Sequence, residues 1–358
     1  VREDPVRKGL LYAGTETGLF ISQNDGKNWV PFQLNLPVVP VNDLIIQDND
    51  LVAATAGRSF WILDDLAPIQ NMNTPKEALS LFKPKDTYLL FGGNTPPNIP
   101  GVGQNPKTGV TFDYYLQKKP DTLELKLEVI RNGQVLRTIT NQPPKRFKSW
   151  VGGPPKPAVL PAKEGYNRFT WDFRRDALPA VDKVFVFGNL QGSNVGPGIY
   201  TLRLTLDKTT VSQVDVTIRP NPSIRAKSVD YVEQQRLLES IEVMVKDMHE
   251  SVNEMRSVKS QLDHYGKLLK DNDNAKDLLA KGDSLYKRIT SWEENLIQVK
   301  QKTFQDVINF NNKLNSEVLF LKDFIDGPFP KVTQGAKNRF IDLKNDWGTY
   351  TKERDAII

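Results

Sequence analysis

Two hydrophobic periods divide the chain. Up to about residue 220 the apolar residues come in short runs or alternate with polar ones, the period of strands with one buried face. Runs at 10–15, 18–23, 29–33, 41–47, 51–56 and 59–64 are separated by turns rich in Gly, Asn and Asp, which predicts the consecutive short strands of a propeller, sandwich or barrel. Prolines at 68 and 75 make 67–79 a linker. Strand patterns resume at 81–91, 110–116, 123–130, 135–140, 167–173, 184–187, 199–206 and 211–218. Leu123, Leu125, Leu127 and Val129 alternate with polar residues, as do Tyr200, Leu202, Leu204 and Leu206, and Asn132-Gly133 supplies a hairpin turn. Seven or eight such strands within about 140 residues predict an immunoglobulin-like or fibronectin-like β-sandwich over 80–222.

Beyond Pro222 the period changes. All but Pro328 and Pro330 of the 24 prolines lie at or before that residue. Leu238, Ile241, Val245, Met248, Val252, Met255 and Leu262 then follow the three-four spacing of one helix face, with Lys259 interrupting. A second helix is expected from Ala275, with Leu278, Leu285, Ile289, Trp292, Leu296 and Val299 as its stripe. A third carries Ile308, Leu314, Val318, Leu321 and Ile325 and stops at Gly327-Pro328. Thr333 caps a fourth, with Phe340, Leu343, Trp347 and Tyr350 inward. Both signs of charge are mixed along the polar faces, so 223–358 reads as a solvated antiparallel helical bundle, and the fold class as multidomain β plus α.

Composition removes several functions. The 358 residues include no cysteine, which excludes disulfides, thiolate nucleophiles and cysteine-held metals. A net charge of +5 comes from interspersed residues rather than a basic stripe, which argues against a nucleic-acid partner. No apolar run reaches the roughly 20 residues of a membrane span. The opening Val-Arg-Glu-Asp has neither an initiator methionine nor a charged-then-apolar leader, so the chain is expected to be a fragment, with a signal peptide, if there is one, upstream.

Residues 22–29 read Ser-Gln-Asn-Asp-Gly-Lys-Asn-Trp. Asn24 and Asp25 can bond their own backbone, Gly26 takes positive φ, and Trp29 is expected to fold back as an apolar plug. With Ser22, Asn24, Gly26 and Trp29 the segment resembles an Asp-box, the hairpin turn of BNR-type β-propellers such as sialidases and sortilin-like proteins. Asn24 and Asn28 stand where the usual pattern has Asp and Thr. Residues 57–65, Gly-Arg-Ser-Phe-Trp-Ile-Leu-Asp-Asp, are similar to the last blades of the large exported sortilin-like propeller proteins of Bacteroidetes, often labelled glycosyl hydrolase. Those proteins commonly carry His where this chain has Ala56, so any role of that imidazole is missing here. The resemblance spans the chain as the C-terminal portion of a longer member. It implies that 1–66 are the last blades of an incomplete propeller, completed by an N-terminal portion of the same precursor or by another chain. It further implies export to the periplasm, outer-membrane surface or extracellular space, and a protein or glycan ligand.

The candidate chemistry is thin. His249 and His264, the only histidines, lie fifteen apart with no metal-ligating spacing, so packed or solvated bundle residues are the expectation. No nucleophile elbow or phosphate-cradling loop occurs, and no cofactor or metal is expected. Arg58, Asp64 and Asp65 are the sialidase-type residues within the most specific motif. A structural role is favoured for them, with Arg58 pairing to the carboxylates and Asp64-Asp65 capping the next turn, because adjacent strand residues point to opposite faces. Trp150, in a Gly/Pro loop, is the one tryptophan outside a packing pattern, hence a ligand-facing candidate with those three. The reading favoured is a non-catalytic recognition or scaffolding part of an exported envelope protein. The alternatives are an accessory part of a sialidase-like glycoside hydrolase with its catalytic residues upstream, and a structural subunit of a surface or secretion assembly.

Overall fold

A computed structural model describes residues 1–72, 77–92, 105–145 and 147–357. The first 66 residues form two antiparallel sheets. Strands β1 (Arg2–Glu3), β2 (Leu11–Thr15), β3 (Gly18–Ser22) and β4 (Val30–Pro31) pair in sequence order, and β5 (Val41–Gln47), β6 (Asp50–Thr55) and β7 (Phe60–Leu63) make the second sheet. Tyr12, Leu19 and Ile21 of the first share a core with Val41, Leu44, Leu51 and Ala53 of the second. The sheets meet closely at Gly14, where a Cβ would come within 2.7 Å of the Val41 side chain. The expected linker is not wholly extended. A short helix α1 (Ala67–Gln70) follows β7, and Leu66 and Ile69 complete the same core.

Eight further strands build a two-sheet unit. They are β8 (Leu79–Leu81), β9 (Thr87–Tyr88), β10 (Val110–Leu116), β11 (Leu125–Arg131), β12 (Gln134–Thr140), β13 (Gly165–Trp171), β14 (Gly198–Leu206) and β15 (Thr210–Arg219). One sheet has the order β13-β10-β8, the other β12-β11-β14-β15-β9, and residues of both close on one core around Phe112, Tyr114, Trp171, Tyr200 and Leu202. Leu125, Leu127 and Val129 are buried as their alternation predicts, whereas Leu123 precedes the strand and is exposed. The β11–β12 turn is the Asn132-Gly133 hairpin, with φ of 51° and 78°. The run at 81–91 is not one strand. Pro84 has no N–H to donate, and the chain leaves β8 in one sheet to pair β9 in parallel with β15 in the other. Most of the 92–109 loop lies outside the described residues.

The helices differ from the expected antiparallel bundle. Helix α2 (Ser228–Leu269) has 42 residues, about 60 Å of rise, and buries Leu238, Ile241, Val245, Met248, Val252 and Met255 as one stripe. Helices α3 (Lys276–Leu296) and α4 (Leu314–Ile325) lie end to end along it. Arg256 and Lys259 meet Glu293 of α3, and Gln234 donates to the Ile325 carbonyl of α4 at 2.8 Å. Helix α5 (Gln334–Ile357) spans the junction, pairing Arg339 with Glu317 of α4 and receiving the Trp292 indole N–H of α3 on the Tyr350 carbonyl. It runs parallel to α2, since Lys337 pairs with Glu233 and Trp347 with Asp247 further along both helices. The bundle is therefore three helices thick, with one of the three made from two pieces. Leu278 is exposed because α5 ends opposite Arg288, so the first turns of α3 extend beyond it. Ile308 is 84% exposed in the turn Phe304–Ile308 that joins α3 to α4.

Residues 184–187 form no strand either. Between β13 and β14 the chain makes an excursion onto the helices, and Leu178, Val181, Val184, Val186 and Leu190 belong to the helical core. A boundary at 222 thus cuts through one core.

Candidate functional site

The turn at 22–29 is closed by its own side chains. Ser22 Oγ accepts the Gly26 N–H at 2.9 Å, and Asn24 Oδ1 accepts the Asn28 N–H at 2.9 Å. Asp25 and Gly26 have φ of 59° and 79°, the left-handed conformation that Asp tolerates and Gly adopts freely. Trp29 is 37% exposed and plugs no core, because β4 is short and lies at the edge of its sheet. All polar atoms named here are engaged within the turn, which makes it a structural device.

Arg58, Asp64 and Asp65 do not assemble as expected. Arg58 is exposed, its guanidinium donates to the Gly57 carbonyl at 3.2 Å, and its own carbonyl accepts the Trp61 indole N–H at 3.0 Å. It pairs with neither aspartate. Asp65 Oδ1 accepts from Asn49 and from the Ala67 N–H, both at 3.1 Å, and so holds the start of α1. Strand β7 ends at Leu63 and Asp65 has φ of 57°, so strand alternation does not separate the two carboxylates. Both instead feel the Arg168 guanidinium of β13. Arg168 is bidentate to Asp113 at 3.0 Å, and Lys85 meets Asp50 at 2.8 Å. Burial raises the Asp64 and Asp65 carboxyls above the usual carboxylate range. This is a charge seam that fastens the first sheets to the two-sheet unit. Among the described residues no group of three or more His, Asp or Glu could hold a metal.

Trp150 lies in an open cleft of about 710 Å3 between the loop after β12 and α2. Its indole N–H donates to the Val184 carbonyl at 2.7 Å, and Lys145, Phe147, Lys148 and Asp182 share the cleft. Of the four ligand-facing candidates Trp150 opens on this cleft, and it is far in sequence and element from the other three.

Sequence reasoning missed the polar latch that binds the excursion to the helices. Arg174 and Asn194 both reach Asp326, which accepts the Asn194 N–H at 2.9 Å. Arg175 donates to Gln235 at 3.0 Å and Glu239 at 2.7 Å, and Glu242 accepts the Ser193 N–H at 2.6 Å. Lys322, 0% exposed, donates to the Gln191 carbonyl at 2.7 Å. His249 is buried against the Pro179 carbonyl at 2.7 Å, and burial lowers its imidazole below the ordinary value. The available signal was the interruption of apolar stripes by Gln234, Gln235, His249 and Lys322.

No family model matches this chain, and neither a curated protein nor a solved structure matches it.

Proposed function

We propose that this chain is a non-catalytic recognition or scaffolding part of an exported sortilin-like propeller protein of the bacterial envelope. In this reading the first two sheets are neighbouring blades, the two-sheet unit is an immunoglobulin-like sandwich, and the helices are a rigid support. The observation that carries it is the asymmetry of the second sheet. Its inner face packs on the first sheet through Leu44, Leu51 and Ala53. On the outer face Ile45, Val52 and Ile62 align across three strands, with Phe60 beside them, and Ile45, Phe60 and Ile62 are exposed. A row of apolar side chains on a sheet face, next to the β7 edge that pairs with no other strand among the described residues, is the surface on which a further blade would stack. The Asp-box-like turn and the charge seam support the same reading, because both are spent on rigidity.

The absence of cysteine gives a clean test. Ile62→Cys introduces a single thiol, whose alkylation rate is compared in the isolated chain and in the envelope fraction of a host producing the longer protein. Protection in the envelope by an order of magnitude or more is expected, since access sets thiol reactivity. Equal reactivity in the two preparations, or recovery of the protein from the cytosolic fraction, would overturn the proposal.

A further inference from the structure

We propose that the cleft that Lys145, Phe147, Lys148 and Trp150 share with Asn253 of α2 binds an acidic oligosaccharide, a uronate-bearing chain stacked on Trp150 and Phe147 with its carboxylates at Lys145 and Lys148. The cleft's volume of about 710 Å3 falls within the range of sites that take small organic ligands. Trp150 is held rather than mobile. Its N–H is spent on the Val184 carbonyl, and Gly153 lies against the ring so closely that a Cβ there would come within 2.6 Å of it. A ring with its polar handle already used offers only an apolar face, and the C–H face of a pyranose ring is a flat apolar surface of similar size.

The polar groups define the rest of the ligand. Asn253 is committed to the fold, donating to the Ala180 carbonyl at 2.9 Å and accepting the Asp182 N–H at 3.4 Å. Lys145 and Lys148 are exposed at the cleft and form no ion pair with any described residue, leaving two ammonium groups to meet anionic oxygens. Asp182 opens on the same space and repels an anion, so it places the ligand's carboxylates on the lysine side and its hydroxyls on the other. None of these residues lies in a strand, so the cleft offers no sheet edge for an extended peptide to join. Lysines at the mouth also disfavour an apolar helix face. These points set an acidic saccharide ahead of an acidic peptide.

The cleft uses no residue before 145, so its occupancy is measured independently of the bare sheet face. The full chain is titrated calorimetrically with a hexamer of galacturonate, a neutral glucan hexamer and hexaglutamate. Saturable binding of the uronate is expected, weakened by salt and by roughly tenfold or more in the Lys145→Gln, Lys148→Gln double variant, as loss of two charge contacts requires. Both lysines are exposed, so the variant's melting temperature is expected to match the parent's. Phe147→Ser is expected to weaken the uronate without changing its salt dependence. Absence of saturable uronate binding, equal binding by the lysine variant, or binding of hexaglutamate or the neutral glucan as tight as that of the uronate would overturn the proposal.

Discussion

Ser22 and His249 are buried polar side chains with opposite consequences. Ser22, 1% exposed, gives its hydroxyl oxygen to the Gly26 N–H, so Ser22→Ala strands a donor inside the turn. A cost of about 1 to 2 kcal/mol is expected, seen as a lower melting temperature and faster amide exchange at Gly26. His249 is 0% exposed, its Nδ1 faces the Pro179 carbonyl, and its Nε2 has no partner among the described residues. Its folded-state affinity for a proton is lowered by burial, while the unfolded chain titrates near the ordinary value of about 6.5. The unfolded state therefore binds the proton first as pH falls, and the stability His249 contributes at neutral pH is lost below that value. Asp323 and Asp326 have raised carboxyls through burial, so they act in the other direction, favouring the folded state as they take up protons in acid. Comparing His249→Gln with the parent isolates the imidazole. The variant's melting temperature is expected to fall less between pH 7 and pH 5, and parallel curves would refute the assignment. The turn residues were legible because their chemistry is local. The trapped imidazole was not, since its partner carbonyl lies 70 residues away.

At the scale of elements, α2 organises the C-terminal half because two different things pack along it. Its apolar stripe takes the other helices, and its flank takes the excursion between β13 and β14, which runs out from Arg175 at Gln235 to Asp182 at Arg256 and returns to Ser193 at Glu242. Asp326 locks the base of this excursion by accepting from both Arg174 and Asn194. Asp326→Ala removes one member of a buried, hydrogen-bonded pair, and a loss of roughly 3 kcal/mol is expected in denaturant unfolding. Gly188 tests the apolar half of the same contact. A Cβ there would stand 2.8 Å from the Leu319 Cβ, so Gly188→Ala pushes the excursion off α4. Increased amide exchange is expected across 184–191 while the core of β10 and β11 keeps its protection. Equal exchange in both regions would show that the excursion and the sheets open together. Helix positions followed from periodicity, but the parallel course of α5 did not, because an amphipathic stripe fixes which face is buried and says nothing of the neighbour's direction.

The whole molecule holds together through two different seams. Between the first sheets and the two-sheet unit Lys85 pairs with Asp50, and the Arg168 guanidinium, held by Asp113 of its own sheet, stands in the field of Asp64 and Asp65, while a shared apolar core joins that unit to the helices. A fragment of residues 223–358 lacks Val181, Val184, Val186 and Leu190 and leaves the side of α2 they cover open to water. It is expected to melt well below the intact chain with a shallower transition, whereas 77–358 should unfold as cooperatively as the parent. Matching melting curves for the short fragment and the parent would refute a common core. By itself the sequence determined where strands give way to helices, which residues of β11, β14 and α2 face inward, and which turns close on themselves, because these depend on the period and chemistry of neighbouring residues. Only the tertiary structure decided that a loop from the sheets completes the helical core, that Asp64 and Asp65 lie near Arg168, and that Trp150 borders a cleft on α2. Each of those depends on which distant surfaces meet, and contact between residues a hundred positions apart leaves no period in the chain.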